Sequence, residues 1–168
     1  MTSAELDPRQ LDELIARAKS FAREYRIVTG RPLGITGEVG EYEAARLLGV
    51  KLAGVRQAGH DAVGTTPEGE RRYQIKARCV LDGTKPGQRL GRIHLDKEWD
   101  AVLLVLLDAD FEPTEVLEAD RAAVESALRA PGSKARNERG APSAAKFKSI
   151  GHSVWTNQVT QRGAHITS

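Results

Sequence analysis

The sequence predicts a mixed α/β domain in which helices flank a sheet of about four to six strands. Three observations predict it. Apolar residues recur at helical spacing before Leu48, residues Arg72–Val80 alternate strictly, and Ala101–Leu107 is an uninterrupted apolar run. The 168 residues are read as one domain with a sizeable core. Within it, residues 1–30 form an N-terminal helix, 34–128 an α/β core and 129–168 a basic C-terminal extension.

Asp7-Pro8 predicts a helix start, a capping carboxylate followed by proline at the first helical position. Leu11, Leu14, Ile15, Ala18, Phe21 and Ala22 then recur at helical spacing, and this helix should end near Ile27, before Gly30 and Pro32. A second helix is expected from Thr36 or Gly37 to Leu48, closed by Gly49. Lys51–Gln57 and Asp61–Thr65 are short strand candidates, followed by a turn at Pro67-Glu68-Gly69. In Arg72–Val80, Tyr73, Ile75, Ala77 and Cys79 point one way, and Gln74, Lys76 and Arg78 the other. Asp82–Gly91, rich in glycine and charge, reads as a loop. Ala101–Leu107 is the expected central strand, Asp108–Asp110 a turn and Thr114–Leu117 a further strand. A helix follows from Asp120, its cap, to Arg129. Ala130–Pro142 is a punctuated basic loop, Ser143 caps a short helix through Ser149, and the residues from Gly151 carry no clear pattern.

Composition narrows the function classes. The longest apolar run is far too short for a membrane span. The first residues lack the basic-then-apolar pattern of a secretory signal, so a cytoplasmic location is expected. One cysteine, Cys79, leaves no internal disulfide and no cysteine-built zinc site. The net charge of +2 argues against an indiscriminate, strongly basic nucleic-acid binder. That total hides an asymmetry. From Arg129 onward seven basic residues face only Glu138, whereas the preceding residues carry 18 basic against 22 acidic side chains. A basic tail on an acidic body points either to an anionic partner or to a solvated tail.

The second helix, turned at roughly 100° per residue, gathers Gly40, Ala44, Ala45, Leu47 and Leu48 on one sector. Glu41 falls inside that sector, Glu38 at its edge and Glu43 away from it. A carboxylate on an inward face is costly without a partner or a task. The helix dipole accounts for Glu38 better than for Glu41. Taken alone, Asp61 in Gly59-His60-Asp61 reads as a turn residue, and the Gln74–Lys76–Arg78 face as a solvated strand face. The remaining features are weaker still. His94, His152 and His165 lack metal-ligand spacing. Gly34–Gly40 lacks a Walker lysine, and no serine has a nucleophile-elbow context. Cys79 reads as a core thiol, and Trp99 and Trp155 as packing residues.

Taken together, Glu41, Gly59-His60-Asp61 and Gln74-Ile75-Lys76 resemble the PD-(D/E)XK nuclease superfamily, to which restriction endonucleases and Holliday-junction resolvases belong. The resemblance spans roughly residues 34–80. Gln74 stands where the family carries an acidic residue and His60 where it carries proline. The resemblance implies a restriction-endonuclease-like core and a metal-dependent endonuclease acting on DNA rather than RNA. It implies Mg²⁺ (or Mn²⁺) held by Glu41, Asp61, Gln74 Oε1 and the Ile75 carbonyl, with Lys76 activating water or stabilising charge. Arg78 would contact phosphate, as would Lys134, Arg136, Arg139, Lys146 and Lys148 in the basic segment, and His60 could assist at the metal. A homodimer would suit cleavage of two strands, and no membrane partner is expected. Gln74, which brings no charge, keeps an alternative open. In that alternative the chain is a catalytically weak or inactive nucleic-acid-binding or interaction module, for example in a bacterial defence or toxin system.

Overall fold

The structure, a computed structural model, describes residues 7–54, 59–83, 88–131 and 141–158. Among them lie four helices and a six-stranded mixed sheet. The helices are α1 (Pro8–Thr29), α2 (Thr36–Leu48), α3 (Arg121–Arg129) and α4 (Ala144–Ile150). The strands are β1 (Lys51–Leu52), β2 (Ala62–Thr66), β3 (Gly69–Cys79), β4 (Ala101–Leu107), β5 (Pro113–Asp120) and β6 (His152–Thr156). They pair in chain order. Only β3 and β4 run parallel, with Tyr73 opposite Ala101 and Cys79 opposite Leu107. No helix among the described residues is long and apolar enough to cross a membrane.

All seven residues of β4 are buried, so both faces of the sheet are covered. Ala101, Leu103, Val105 and Leu107 join Tyr73, Ile75 and Ala77 in a core beneath α2, with Val39 and Ala44. Val102, Leu104 and Leu106 face the other way, into a core with Leu90, Ile93, Trp99, Val124, Leu128 and Phe147. The alternation of β3 thus assigns Gln74, Lys76 and Arg78 to the second face, above which residues 88–94 run.

The cap readings correspond to hydrogen bonds. Asp7 accepts from Arg9 N at 3.0 Å, Asp120 from Ala123 N at 2.8 Å and Ser143 from Lys146 N at 3.1 Å. Several bounds move. α1 continues past Ile27 to Thr29 and is closed by Gly30 in a left-handed conformation. β3 begins at Gly69 rather than Arg72, and β5 runs from Pro113 to Asp120, beyond Thr114–Leu117. The first short strand candidate reduces to Lys51–Leu52, and residues 55–58 lie outside the described set. Part of the stretch read as a basic extension belongs to the core. Phe147 of α4 is fully buried, and β6 adds an antiparallel edge strand to β5.

One reading of the helices is corrected. Glu43, placed away from the packed sector of α2, is 1% exposed. Its Oε1 accepts from Lys19 Nζ at 2.7 Å, and its Oε2 from Arg46 Nε at 2.8 Å. α1 covers a second side of α2, and a buried lysine supplies the counter-charge a buried carboxylate needs. Conversely, Leu14 and Phe21 of α1 face outward, at 52% and 59% exposed, and Lys19 and Ala22 are the buried residues of that helix.

Candidate active site

The site is built where β2 leaves β3. Their antiparallel pairing ends at Ala62 opposite Tyr73. One residue earlier, Asp61 N donates to Tyr73 O at 2.7 Å, and Asp61 O accepts from Ala53 N at 2.8 Å. Its side chain then replaces the missing strand, with Oδ2 accepting from Ile75 N at 2.7 Å. In an extended strand a residue's N–H and C=O point to the same side. The Ile75 carbonyl therefore faces the same unpaired edge as the Asp61 carboxylate. Gly59 prepares this turn: its φ is +111°, a region L side chains rarely adopt, and an added Cβ would lie 3.3 Å from Glu98 N.

Glu41 arrives from α2. Its neighbour Gly40 lies so close to β3 that an added Cβ would overlap Ala77 Cβ. This close approach fixes α2 on β3, and the half-buried Glu41 lies within electrostatic reach of Asp61. Burial raises the Glu41 carboxyl above the ordinary value, and the charges of Asp61 and Glu38 raise it further, against the pull of Lys76. Two carboxylates from separate elements are thus held near each other under repulsion. Lys76 completes the group from β3. Burial lowers its ammonium, Asp61 and Glu41 oppose that shift, and Arg78 reinforces it. Glu41 and Lys76 thus each feel the other's charge and that of Asp61.

Gln74 is buried beside them, 4% exposed. Its Nε2 donates to the His94 carbonyl at 3.3 Å, and the same oxygen accepts from Trp99 Nε1 at 2.7 Å. Trp99 is fully buried, with the Arg121 guanidinium 4.6 Å over its ring. This clasp joins residues 20 and 5 positions from His94, and nothing in the local sequence announces it.

The proposed phosphate contacts divide. Arg78 Nε donates to Arg89 O at 2.7 Å, which holds the 88–94 segment, and Nη1 to Ala77 O at 2.6 Å, which ties the guanidinium back to β3. Lys146 and Lys148 are exposed on α4, with Lys148 Nζ 3.8 Å from Glu115 Oε2. The start of α4 is joined to the 88–94 segment by Leu90 N donating to Pro142 O and Ala144 N to Gln88 O, at 3.0 and 2.8 Å. Lys134, Arg136 and Arg139 lie outside the described residues. The sequence reading missed Arg89 and Arg92, both exposed on the segment whose Gly91 lies against the Lys76 and Arg78 side chains. The signal was available: Leu90 and Ile93 are apolar and buried, and the arginine that precedes each of them is exposed. His60 is half-buried, with Nδ1 shielded and without a hydrogen-bond partner. Cys79 packs against the core and burial raises its thiol, in keeping with a structural role.

The donor set fits a hard divalent cation. Asp61, whose charge reaches Glu41, caps the edge on which the Ile75 carbonyl is unpaired by any described strand, and hard cations take oxygen ligands. Among the described residues, no group of three or more His, Cys, Asp or Glu side chains is placed to hold a metal ion. Beyond Glu41 and Asp61, further protein ligands would thus come from the Ile75 carbonyl and the Gln74 amide. Compared with protein-family models and with curated proteins, the chain matches none of either.

Proposed function

We propose that this chain is a metal-dependent nuclease with a restriction-endonuclease-like core of the PD-(D/E)XK type, hydrolysing phosphodiester bonds in DNA. The observation that carries the reading is the coupling of Glu41, Asp61 and Lys76 at the point where β2 leaves β3. Helix α2, the β2–β3 hairpin and the Gln74-Ile75-Lys76 triplet follow in the order the resemblance requires.

A divalent cation bound there would offset the charge that builds on the phosphate and make a bound water more acidic. Asp61, fixed through Oδ2 by the Ile75 amide, keeps Oδ1 for the cation, and Glu41 supplies the second charge. Lys76 orients the attacking water and takes its proton at Nζ. With the Asp61 and Glu41 charges engaged, the influences left on Lys76 are burial and Arg78, both of which lower its pKa. Arg89, Arg92, Lys146 and Lys148 steer the phosphate backbone toward this edge.

A second reading rests on Gln74. A residue that must donate to the His94 carbonyl also suits a nucleic-acid-binding module that retains the fold without turnover. Incubation of labelled DNA and RNA with the protein and Mg²⁺ or Mn²⁺ separates the two. The nuclease reading expects DNA cleavage that disappears in Asp61→Ala and in Lys76→Ala. Salt-sensitive binding without cleavage under either ion would favour the binding module.

A further inference from the structure

We infer that α1 is a dimerisation helix, pairing antiparallel with α1 of a second copy of this chain. It is tied to the body largely by polar reach: Lys19 to Glu43 and Glu112, Arg26 Nη1 to the Ala109 carbonyl, and Tyr42 Oη to Asp12. Of its 22 residues, only Lys19 and Ala22 are buried. The flank about 100° round the helix carries Leu11, Leu14, Ala18, Phe21, Tyr25 and Val28, spaced alternately three and four residues apart, with Leu11, Ala18 and Tyr25 half-buried. That is the spacing of a two-helix seam, and the body leaves its outer residues uncovered. Leu14, Phe21 and Val28 are 52%, 59% and 83% exposed. A groove on this face is lined by Leu14, Arg17, Ala18, Ser20, Phe21 and Glu24.

The occupant is chosen by size and charge. Around a two-fold axis between Lys19 and Ser20, antiparallel pairing sets Ala18 opposite Phe21 of the second copy, small against large. Leu14 meets Tyr25, and Leu11 meets Val28. Along one flank of this seam Arg17 faces Glu24 of the second copy, and the axis repeats the pair. Among the described residues neither Arg17 nor Glu24 has an ion-pair partner within the chain. Parallel pairing would set Ala18 on Ala18 and Phe21 on Phe21 and leave Arg17 opposite Ala22, with no charge match. The arrangement is isologous and closes at two copies. It does not depend on the chemistry proposed at the sheet edge.

The full chain is tested by sedimentation equilibrium and light scattering from nanomolar protein to about 100 µM. A monomer–dimer equilibrium is expected. Phe21→Glu should raise its dissociation constant roughly a hundredfold, since two charges would enter an apolar seam. Arg17→Glu should weaken it about tenfold at low salt, and Arg17→Glu/Glu24→Arg should restore it, because both cross-pairs are then re-formed. These positions are exposed, so an unchanged circular dichroism spectrum and melting temperature verify the fold. A monomer throughout overturns the inference, and so does a dimer indifferent to Phe21→Glu. A dimer weakened by Arg17→Glu but not restored by the double exchange overturns the antiparallel pairing. Loss of cleavage in Asp61→Ala with the dimer intact bears on the site alone.

Discussion

The Asp61 carboxylate accepts the main-chain N–H of Ile75 at 2.7 Å, so one side chain both caps an unpaired strand edge and faces the proposed cation. These two tasks respond differently to substitution. Asp61→Asn keeps an acceptor for the amide but removes the charge. Its stability should match the parent within about 0.5 kcal/mol while divalent-ion binding is lost. Asp61→Ala orphans the Ile75 amide and should cost about 1–3 kcal/mol as well. Urea unfolding alongside Mn²⁺ titration checks both halves. An Asn variant that binds Mn²⁺ as tightly as the parent would contradict the ligand role.

Gln74→Glu is expected to harm the apo protein rather than improve it. The His94 carbonyl would lose one of its two donors, keeping Trp99 Nε1, and face a carboxylate oxygen in a buried position. The expected cost is about 1–3 kcal/mol in urea without divalent ions, and less when Mn²⁺ is present to balance the new charge. Equal stability of the two proteins in EDTA would show that the clasp on His94 contributes nothing.

Gly40 is the position where α2 touches the sheet. Gly40→Ala drives a Cβ into Ala77, so α2 must shift and carry Glu41 with it. A loss of about 1–3 kcal/mol and weaker metal binding are expected. The double variant Gly40→Ala/Ala77→Gly reopens the gap and should recover metal binding. Failure of that rescue, with the fold intact, would separate Glu41's placement from the Gly40–Ala77 contact.

The pH dependence follows from Glu41. Its carboxyl is raised in the folded protein, first by burial and then by Asp61. The folded chain thus holds that proton more tightly than the unfolded chain. The resulting stability is full below the unfolded value and is lost as pH rises through the raised folded value. A cation must displace the same proton, so metal affinity should climb with pH through that window. Carboxyl-carbon NMR in the metal-free protein should find the Glu41 midpoint above the ordinary glutamate value, and Asp61→Asn should lower it. An unmoved midpoint would mean that the two carboxylates do not sense each other.

Lys19 and Glu43 form the buried pair that fastens α1 to α2. Lys19→Met leaves Glu43 with Arg46 alone. A cost of about 3 kcal/mol is expected, at the low end for a broken buried pair because Arg46 remains. Thermal unfolding of Lys19→Met beside Lys19→Met/Glu43→Leu reads it. The double variant should recover most of the loss.

The legible parts of this molecule were the local ones. Alternation in Tyr73–Cys79 assigned the faces of β3, and the unbroken run Ala101–Leu107 identified a strand buried on both sides. Asp7, Asp120 and Ser143 were readable as caps because a cap needs only its own neighbours. Glu43 was misplaced because its burial depends on Lys19, 24 residues away on another helix. A helical wheel shows an apolar stripe but not how many partners the helix will have. The same limit holds for α1, where the apolar spacing includes Leu14 and Phe21, both exposed, and the body buries Lys19 and Ala22. At the site, the residue types Glu41, Asp61 and Lys76 were visible in the sequence, whereas the His94 clasp on Gln74 is a tertiary hydrogen bond with no local signature.

The central claim is that Glu41, Asp61 and the Ile75 carbonyl hold one divalent cation at the edge where β2 leaves β3. Crystals grown with Mn²⁺ and measured at the manganese absorption edge test it most directly. The account predicts an anomalous peak about 2.0–2.3 Å from an oxygen of each of the three, a range typical of hard divalent cations, and its disappearance in Asp61→Asn. A fully folded protein that shows no peak there at millimolar Mn²⁺, or one held by other residues, would contradict it.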